Sequence, residues 1–239
     1  SQVGCKMGCL FCMTGKQGLQ EDITAGEILN QYRSLPERDA VSNIVYMGMG
    51  EPLDNIGPVL DSLEVFTSAY GYGLSPRRIT VSTVGILPEL TTLIDATECS
   101  IAVSLHSPFE QERKRIMPVE SQFPLARILE VIRNNPFGRQ RRVSFEYILF
   151  DGVNDSRRHA DELVRILHGI RCRVNLIPFN PNPEIIYRPT PAEGVESFQA
   201  WLRAKGMVAT VRRSRGRDIE AACGLLSTKE ELRRDRDQD

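Results

Sequence analysis

Three cysteines lie within eight residues near the start of this chain, and they restrict its fold more than any other feature. Cys5, Cys9 and Cys12 follow the spacing C-x3-C-x2-C, and Phe11 precedes the third cysteine. Three thiolates on one short loop can bind three irons of a cubane [4Fe-4S] cluster, which needs four iron ligands. The fourth iron then stays open, so the pattern predicts a cluster that binds a small molecule directly.

Two other uses of these cysteines stay open. Zinc also binds thiolates, but a structural zinc site usually has a fourth Cys or His nearby, and none lies between Cys12 and Cys99. Disulfides need an oxidising compartment. The chain has six cysteines, no visible signal peptide and no apolar run near the ~18 residues of a membrane span. We therefore expect a cytoplasmic protein that does not enter a membrane.

Short apolar segments alternate with amphipathic segments along most of the chain. They predict strands at 43–47, 78–82, 100–105, 143–150, 173–177 and 208–211. The segments between them predict helices at 58–70, 88–96, 109–115, 124–134, 156–168 and 193–205, after a first helix that a capping box at Thr24 and Glu27 begins. Residues 1–20 and the proline-rich residues 178–191 are predicted as loops.

Strand–helix alternation indicates a parallel sheet. With a presumed strand before the cysteine loop, we expect six or seven strands. The predicted fold is α/β, an open partial (β/α)6 barrel that forms a single domain over residues 1–239 with a flexible tail at 228–239. The active site of such a barrel lies at the carboxyl ends of its strands.

Several residues that can bind a ligand follow these predicted strands. They are Gly50, Glu51, Ser82, Ser104, Leu105, His106 and Asn180. A glycine lets a ligand approach the backbone closely, and the carboxylate of Glu51 can accept hydrogen bonds from an ammonium. The serine hydroxyls can reach a ribose or a carboxylate, with Thr83 as an alternative to Ser82, and the amide of Asn180 can hydrogen-bond an adenine or ribose edge. Taken alone, each residue is also compatible with a structural role.

Cys223 differs from the other two cysteines outside the loop. It is followed by glycine on a polar segment, and arginines precede it at 212, 213, 215 and 217. Nearby positive charge favours the thiolate and makes it a better nucleophile. Cys99 and Cys172 border apolar strands, so we expect them to be buried. Cys223 is therefore the candidate catalytic residue.

The net charge of −1 gives no global basic field and argues mildly against an RNA substrate. Local patches matter more than the sum. Two basic runs are present, at Arg139, Arg141 and Arg142 and at Arg212, Arg213, Arg215 and Arg217. Each run is equally compatible with RNA binding and with a solvated surface.

Nearly the whole chain resembles the catalytic domain of the radical S-adenosylmethionine (SAM) RNA adenine methyltransferases, the RlmN/Cfr family, and is closer to the RlmN branch. The matching segments are 1–18 with the cysteines, YMGMGEPLDN (46–55), RITVSTVG (78–85), SLH (104–106), DGVND (151–155), LIPFNP (176–181) and RGRDIEAACGL (215–225). The resemblance implies methylation of adenine C2 in 23S rRNA and tRNA; the Cfr branch methylates C8. It also implies a one-electron donor such as flavodoxin, and we expect a monomer.

The resemblance further implies a mechanism that uses two SAM molecules per turnover. One SAM methylates Cys223. A second SAM binds the cluster held by Cys5, Cys9 and Cys12, and one electron cleaves it to methionine and a 5′-deoxyadenosyl radical. The radical removes a hydrogen atom from the methyl group on Cys223, and the resulting methylene radical adds to the adenine. A partner cysteine then attacks the Cys223 sulfur, which forms a disulfide bond and releases the methylated base. The SAM contacts implied are Gly50, Glu51, Ser82, Ser104, Leu105, His106 and Asn180.

Two parts of this mechanism are expected in an N-terminal region that the chain does not contain. The resolving cysteine of the family lies seven residues before the first cluster cysteine, and this chain starts four residues before Cys5. The catalytic glutamate and a small RNA-binding domain are expected there as well. We therefore expect the chain to bind the cluster and SAM but not to complete turnover. Cys99 or Cys172 would replace the resolving cysteine only if the strand placement were wrong.

Three other functions stay open. The chain could be another radical SAM enzyme, such as an activating enzyme or a small-molecule methylthiotransferase, although neither reaction requires Cys223. It could be an iron–sulfur protein that binds RNA without catalysis, which would bind a cluster without cleaving SAM. It could also be a zinc-stabilised α/β domain, which would be colourless.

Overall fold

The computed structural model describes residues 1–135, 137, 141, 143–212 and 225–226. Cys223, the arginines at 139, 142, 213, 215 and 217 and the tail predicted at 228–239 lie outside the described residues. All elements and contacts below belong to the described ranges.

The N-terminal residues form a short hairpin around the cysteines. Strand β1 (Gln2–Cys5) leads into the cysteine loop, helix α1 (Met13–Gln17) follows it, and strand β2 (Gly18–Asp22) returns antiparallel to β1. Two expectations were wrong here. Residues 1–20 are not loop throughout, and the strand before the cysteines pairs with β2 in a separate sheet instead of joining the parallel one. The reason is local: β2 is a mostly exposed polar segment, GLQED, whose pairing no hydrophobic pattern reveals.

A parallel sheet follows, and its six strands confirm the six apolar segments predicted as strands. They are β3 (Ile44–Tyr46), β4 (Ile79–Thr83), β5 (Ser100–Ser104), β6 (Val143–Leu149), β7 (Cys172–Pro178) and β8 (Ala209–Val211). Each strand hydrogen-bonds in parallel with the next one in the chain. Among the described residues β3 does not pair with β8, so the sheet is the open partial barrel that the alternation predicts.

Helices connect consecutive strands of this sheet. They are α2 (Ala25–Arg33) before β3, then α3 (Ile56–Thr67), α4 (Leu87–Ala96), α5 (Glu110–Ile116), α6 (Leu125–Asn134), α7 (Arg157–Leu167) and α8 (Ala192–Ala204). The predicted capping box is present at α2, where Thr24 accepts from the Glu27 N–H and the Glu27 carboxylate accepts from the Thr24 N–H at 2.7 Å. No helix in the described ranges is long and apolar enough to cross a membrane.

The core lies on both faces of β6. All seven residues of this strand are buried, because neighbouring strands flank it and helices cover the sheet. The ring of Tyr147 stacks on Phe198 of α8 at 5.4 Å, and its hydroxyl donates to the Asn154 carbonyl at 2.7 Å. Burying each large side chain stabilises the fold by about 1.5–3 kcal/mol. The sheet is therefore a rigid support for the loops at its carboxyl edge.

The two cysteines predicted to be buried lie at the opposite, amino edge. Cys99 immediately precedes β5 and is 1% exposed, as predicted. Cys172 is only half-buried, because it is the first residue of β7. The predicted strand placement is thus confirmed for both residues.

Candidate active site

The three cysteines of the loop line one side of a cleft at the carboxyl edge of the sheet. Cys5 ends β1, Cys9 is buried in the loop and Cys12 precedes α1. The loop is tied to the barrel by the Leu10 N–H, which donates to the Ile116 carbonyl at 3.0 Å, and it closes on itself through a hydrogen bond from the Cys12 N–H to the Cys9 carbonyl at 3.1 Å.

All five cysteines in the described part of the chain are unpaired thiols. Burial raises the pKa of the Cys5 thiol to about 11, and burial also raises the pKa of Cys9, with smaller contributions from the neighbouring thiolates and from Glu51. Thiolates in such a group repel one another, so binding of a metal must supply the compensating positive charge and displace the protons.

The donor set of this loop, three thiols with C-x3-C-x2-C spacing, suits three irons of a cubane cluster. Within the described residues, no three Cys, His, Asp or Glu side chains converge on a point where one ion could be bound. A mononuclear zinc site needs that convergence. In a cubane each thiolate binds a different iron, so the sulfur atoms stay apart.

The loop after β3 forms the next part of the cleft wall. Gly50 has φ +94°, and a Cβ atom there would lie 2.6 Å from Cβ of Gln2 in β1, so only glycine fits. The Gln2 side-chain oxygen accepts a hydrogen bond from the Glu51 N–H at 2.8 Å. The close approach at Gly50 thus joins the cysteine hairpin to the loop that carries Glu51.

The carboxylate of Glu51 is buried in this wall. It accepts hydrogen bonds from the Leu53 N–H at 3.2 Å and from the Val84 N–H at 2.9 Å, and Thr83 adds a side-chain hydrogen bond. Burial raises the pKa of Glu51 to about 7 in spite of these donors. No Lys, Arg or His of the described ranges lies within ion-pair distance of it. A buried carboxylate without a cation is suited to receive an ammonium.

The serines at the ends of the next strands also reach the cleft. Ser82 of β4 and Ser104 of β5 are half-buried lining residues. Thr83 lines the cleft as well, but its hydroxyl accepts from the Gly85 N–H at 2.9 Å besides bonding Glu51. Ser82 is therefore the more available hydroxyl of the two.

His106 lines the cleft in an unusual backbone conformation. Its φ of +56° is the only positive value at a non-glycine residue of the described chain. The Asn154 amide donates to its carbonyl at 2.7 Å, and its Nδ1 accepts from the Ile148 N–H at 3.1 Å. Burial lowers the pKa of the imidazole to about 3. The ring is thus neutral, with its proton on Nε2, and it acts as a fixed hydrogen-bond donor.

Two of the predicted contacts do not line the cleft. Leu105 is fully buried; its N–H donates to the Glu146 carbonyl at 3.0 Å, and its own carbonyl accepts from Arg113 Nε at 3.1 Å. Asn180 is buried just after β7. Whether these two residues contact SAM stays a prediction, as it does for the lining residues.

The structure adds two cleft residues that the sequence pattern did not mark as candidates, Glu146 of β6 and Tyr46 of β3. Arg212, the first arginine of the second basic run, also lines the cleft. A single carboxylate in the otherwise apolar segment VSFEYILF was the available signal for Glu146. The cleft is open to solvent, and about 910 Å³ of empty space lies within it when the opening is included.

A buried arginine holds the ends of β4 and β5 in place. Arg113 of α5 is 0% exposed and donates to the carbonyls of Val84 at 3.2 Å, Ser104 at 2.9 Å and Leu105 at 3.1 Å. Its charge is paired with the buried carboxylate of Glu120. Arg113 therefore fixes the backbone on which the cleft residues stand.

Comparisons with known proteins agree with this geometry. The model of the radical SAM superfamily matches residues 1–164. The chain is 54% identical over 228 residues to the probable dual-specificity RNA methyltransferase RlmN of Parabacteroides distasonis, covering 95% of this chain and 66% of that protein. It is 44% identical over 230 residues to the dual-specificity RNA methyltransferase RlmN of Syntrophobacter fumaroxidans, covering 95% and 67%.

A solved structure supports the same relationship. The crystal structure of a radical SAM methyltransferase from Sphaerobacter thermophilus matches with a TM-score of 0.89 and 42% identity, over 94% of this chain and 67% of that one. The chain thus spans about two thirds of the length of these relatives.

Proposed function

Because this chain belongs to the radical SAM superfamily and, within it, to the RlmN family, we propose that it is the catalytic part of a radical SAM RNA methyltransferase. The proposed reaction is methylation of adenine C2 in 23S rRNA and tRNA through a methylated Cys223, with two SAM molecules consumed per turnover. One observation carries the proposal: three unpaired thiols with C-x3-C-x2-C spacing and the buried carboxylate of Glu51 open on the same cleft.

The superfamily implies a [4Fe-4S] cluster and SAM as cofactors, and the cleft fits both. Cys5, Cys9 and Cys12 supply one thiolate for each of three irons. Glu51 supplies the carboxylate for the SAM ammonium. When bound, the cluster supplies the electron that splits SAM into methionine and a 5′-deoxyadenosyl radical.

The other cleft residues orient SAM. Glu51 is held by backbone donors, so it keeps its position before the ligand arrives. His106 offers its Nε2–H as a donor, and Ser82 and Ser104 offer hydroxyls to the ribose or the carboxylate. Gly50 lets the ligand approach the backbone. We assign Asn180 and the backbone of Leu105 to the same binding site.

Cys223 is the proposed methyl carrier. Its thiolate attacks the methyl carbon of one SAM, so the C–S bond of the sulfonium breaks, a thioether forms and S-adenosylhomocysteine leaves. The carbon on this thioether is then the one delivered to the adenine. A carrier is needed because C2 of adenine is electron-poor and does not attack a methyl sulfonium directly.

The remaining proposals concern partners. The RNA substrates are 23S rRNA and tRNA, and the named relatives are dual-specificity RNA methyltransferases. We propose a one-electron donor such as flavodoxin, a monomer in solution and a location in the cytoplasm.

The test uses protein prepared anaerobically with its iron and sulfide content measured. SAM and a one-electron reductant are added, and 5′-deoxyadenosine and the mass of the Cys223 peptide are followed. A methyl group on Cys223 together with 5′-deoxyadenosine supports the proposal. Deoxyadenosine without any modification of Cys223 would indicate a different radical SAM reaction, and neither product from a loaded protein would favour a non-catalytic cluster protein.

Variants of the cysteines sharpen this test. Changing Cys5, Cys9 or Cys12 to Ala should abolish iron binding, whereas Cys172→Ala, at the amino edge, should leave the iron content unchanged. Digestion of the RNA–protein adduct formed at Cys223 shows whether C2 or C8 of adenine is bonded, so it decides between the two branches of the family without a completed turnover.

A further inference from the structure

A carboxylate lies in the middle of the most buried strand of the sheet. Glu146 of β6 is 4% exposed, and its strand neighbours are all buried. It lines the cleft beside Ser104 and His106. Burial of a carboxylate in an apolar core is costly unless hydrogen bonds or a charge compensate it, so its presence at this position needs a reason.

One oxygen of this carboxylate is fully bonded. The strand register places Glu146 beside Asn175 of β7, and Asn175 beside Thr210 of β8. The Thr210 hydroxyl donates to Asn175 Oδ1 at 2.6 Å, the Asn175 amide donates to Glu146 Oε1 at 2.8 Å, and Ser144 donates to the same oxygen at 3.0 Å. This relay across three strands fixes the orientation of the carboxylate.

The other oxygen has no partner. Oε2 of Glu146 is buried and accepts no hydrogen bond from any described residue. Arg212 lines the same cleft and its charge acts on Glu146 from a distance. Its Nη1 donates to Met47 Sδ at 3.2 Å, and Arg212 and Glu146 form no ion pair within the described ranges. An unsatisfied buried acceptor costs about 1–3 kcal/mol, and a ligand that donates to it removes that cost.

The position of Glu146 suggests which part of a ligand it meets. The Glu51 carboxylate is bonded to Val84, directly after β4, and Glu146 is on β6, two strand spacings or ~10 Å away. An extended SAM molecule separates its ammonium from its ribose hydroxyls by a similar span. Because Glu51 is already assigned to the ammonium of SAM, the SAM donors that remain for Glu146 are neutral.

We propose that Oε2 of Glu146 accepts hydrogen bonds from the ribose hydroxyls of SAM in the cleft. The inference rests on the proposed function, because it takes SAM as the ligand. It makes Glu146 a binding residue that recognises the ribose, with Asn175 and Thr210 as the residues that position it.

The experiment removes the hydroxyls from the ligand and the acceptor from the protein. Binding of 5′-deoxyadenosine and of 2′,3′,5′-trideoxyadenosine is measured by calorimetry on cluster-loaded protein. The wild type should prefer the hydroxylated nucleoside by roughly tenfold or more. Glu146→Gln should reduce that preference, because the relay holds the amide oxygen toward Asn175, and the NH₂ group that faces the cleft can form only a neutral hydrogen bond to a hydroxyl oxygen, weaker than a bond to the charged carboxylate.

Glu89→Gln is the matched control. Glu89 of α4 also has a buried oxygen without a partner among the described residues, but it does not line the cleft. This variant should keep the wild-type preference. If Glu146→Gln does not load iron, Thr210→Val replaces it: loss of the outer hydrogen bond should reduce the preference, and an unchanged preference would overturn the inference.

Other outcomes of the binding experiment would overturn the inference or assign Glu146 to another ligand. The inference is wrong if Glu146→Gln keeps the wild-type preference. It is also wrong if the variant binds both nucleosides more weakly by the same factor, which would show a general distortion of the cleft. Equal weakening for both nucleosides together with weaker binding of RNA would assign Glu146 to the RNA substrate instead of SAM. Formation of 5′-deoxyadenosine from SAM by the wild type, measured separately, shows whether the proposed function stands when this inference fails.

Discussion

The Glu51 carboxylate accepts a hydrogen bond at 2.9 Å from the backbone N–H of Val84, which joins the loop after β3 to the loop after β4 inside the cleft. The side chain is therefore held by the scaffold, and its charge is left for a ligand. This relationship gives the first prediction.

Glu51→Gln should weaken SAM binding by roughly 10–100-fold, because an ammonium loses a charged acceptor worth about 1.5–3 kcal/mol. The amide oxygen can still accept from Val84, so the fold is retained. Calorimetric titration of cluster-loaded protein measures the change. Glu130→Gln, on the exposed face of α6, is the control, and equal affinity for all three proteins would refute the role of Glu51.

Loss of the buried partner of Glu120 should destabilise the protein strongly. Arg113→Met leaves Glu120 buried without its cation, which costs about 3–5 kcal/mol. The double variant Arg113→Met/Glu120→Gln should be more stable than the sum of the single changes predicts, by about 1–3 kcal/mol. Urea unfolding of the four proteins gives these values.

The exposed pair Arg127 and Glu130, with an N–O distance of 2.8 Å, provides the comparison. The same cycle there should show a coupling of at most about 0.5 kcal/mol. A coupling at Arg113 and Glu120 no larger than this would mean that burial does not strengthen their interaction.

The neutral His106 should make stability depend on pH on the acid side. Burial lowers the pKa of His106 in the folded protein to about 3, whereas the ordinary value for histidine is 6.5. Between these two pH values the imidazole is protonated in the unfolded chain but stays neutral in the folded chain. The free energy of unfolding therefore falls as pH drops below about 6.5, by at most ~1.4 kcal/mol per pH unit. Above that pH this residue contributes no slope.

His106→Gln should flatten this part of the stability curve, since glutamine does not titrate. Urea unfolding at several pH values between about 4 and 7 measures the slope. His168→Gln, which changes an exposed histidine at the end of α7, is the control for the substitution itself. Identical slopes for the two variants would contradict a buried neutral imidazole.

Gly50→Ala should disturb the cleft more than a similar change elsewhere. Gly50 and Gly73 both have positive φ, but a Cβ at Gly50 would lie 2.6 Å from Gln2, whereas nothing lies within 4 Å at Gly73. Gly73→Ala should lower the free energy of unfolding by only about 1–2 kcal/mol, the cost of placing an L residue in the left-handed backbone conformation. Gly50→Ala should cost more and also reduce iron loading, because the cysteine hairpin must shift. Equal effects in unfolding and iron assays would show that the close contact is unimportant.

Much of this architecture could be predicted from the sequence because it depends on local pattern. The six apolar segments are buried in the sheet, and parallel strands bring their carboxyl ends to one edge. That rule places Glu51, Ser82, Ser104 and His106 at one edge of the sheet. The structure brings the cysteine loop to the same edge, although the strand before it lies outside the parallel sheet.

What could not be predicted depends on contacts between distant residues. Arg113 lies in the charged segment EQERKRI, which looks solvent-exposed, and only its three carbonyl acceptors and Glu120 explain its burial. Glu146 looks like an interruption of an apolar strand until Asn175 is placed beside it. Strand β2 has no apolar pattern, so its pairing with β1 was not expected.

The separate hairpin has a consequence for how the protein loses its cluster. A two-stranded ribbon is marginally stable by itself, and four of the five residues of β2 are exposed. Hydrogen bonds attach the first strand and the cysteine loop to the barrel, among them Gln2 to Asp54, the Glu51 N–H to Gln2, and the Leu10 N–H to Ile116. Bound iron would add a further connection, because the three cysteines lie in the loop between the two strands of the ribbon. We expect iron release to unfold the ribbon locally while the six-stranded sheet persists, so that cofactor loss and global denaturation are two separate transitions.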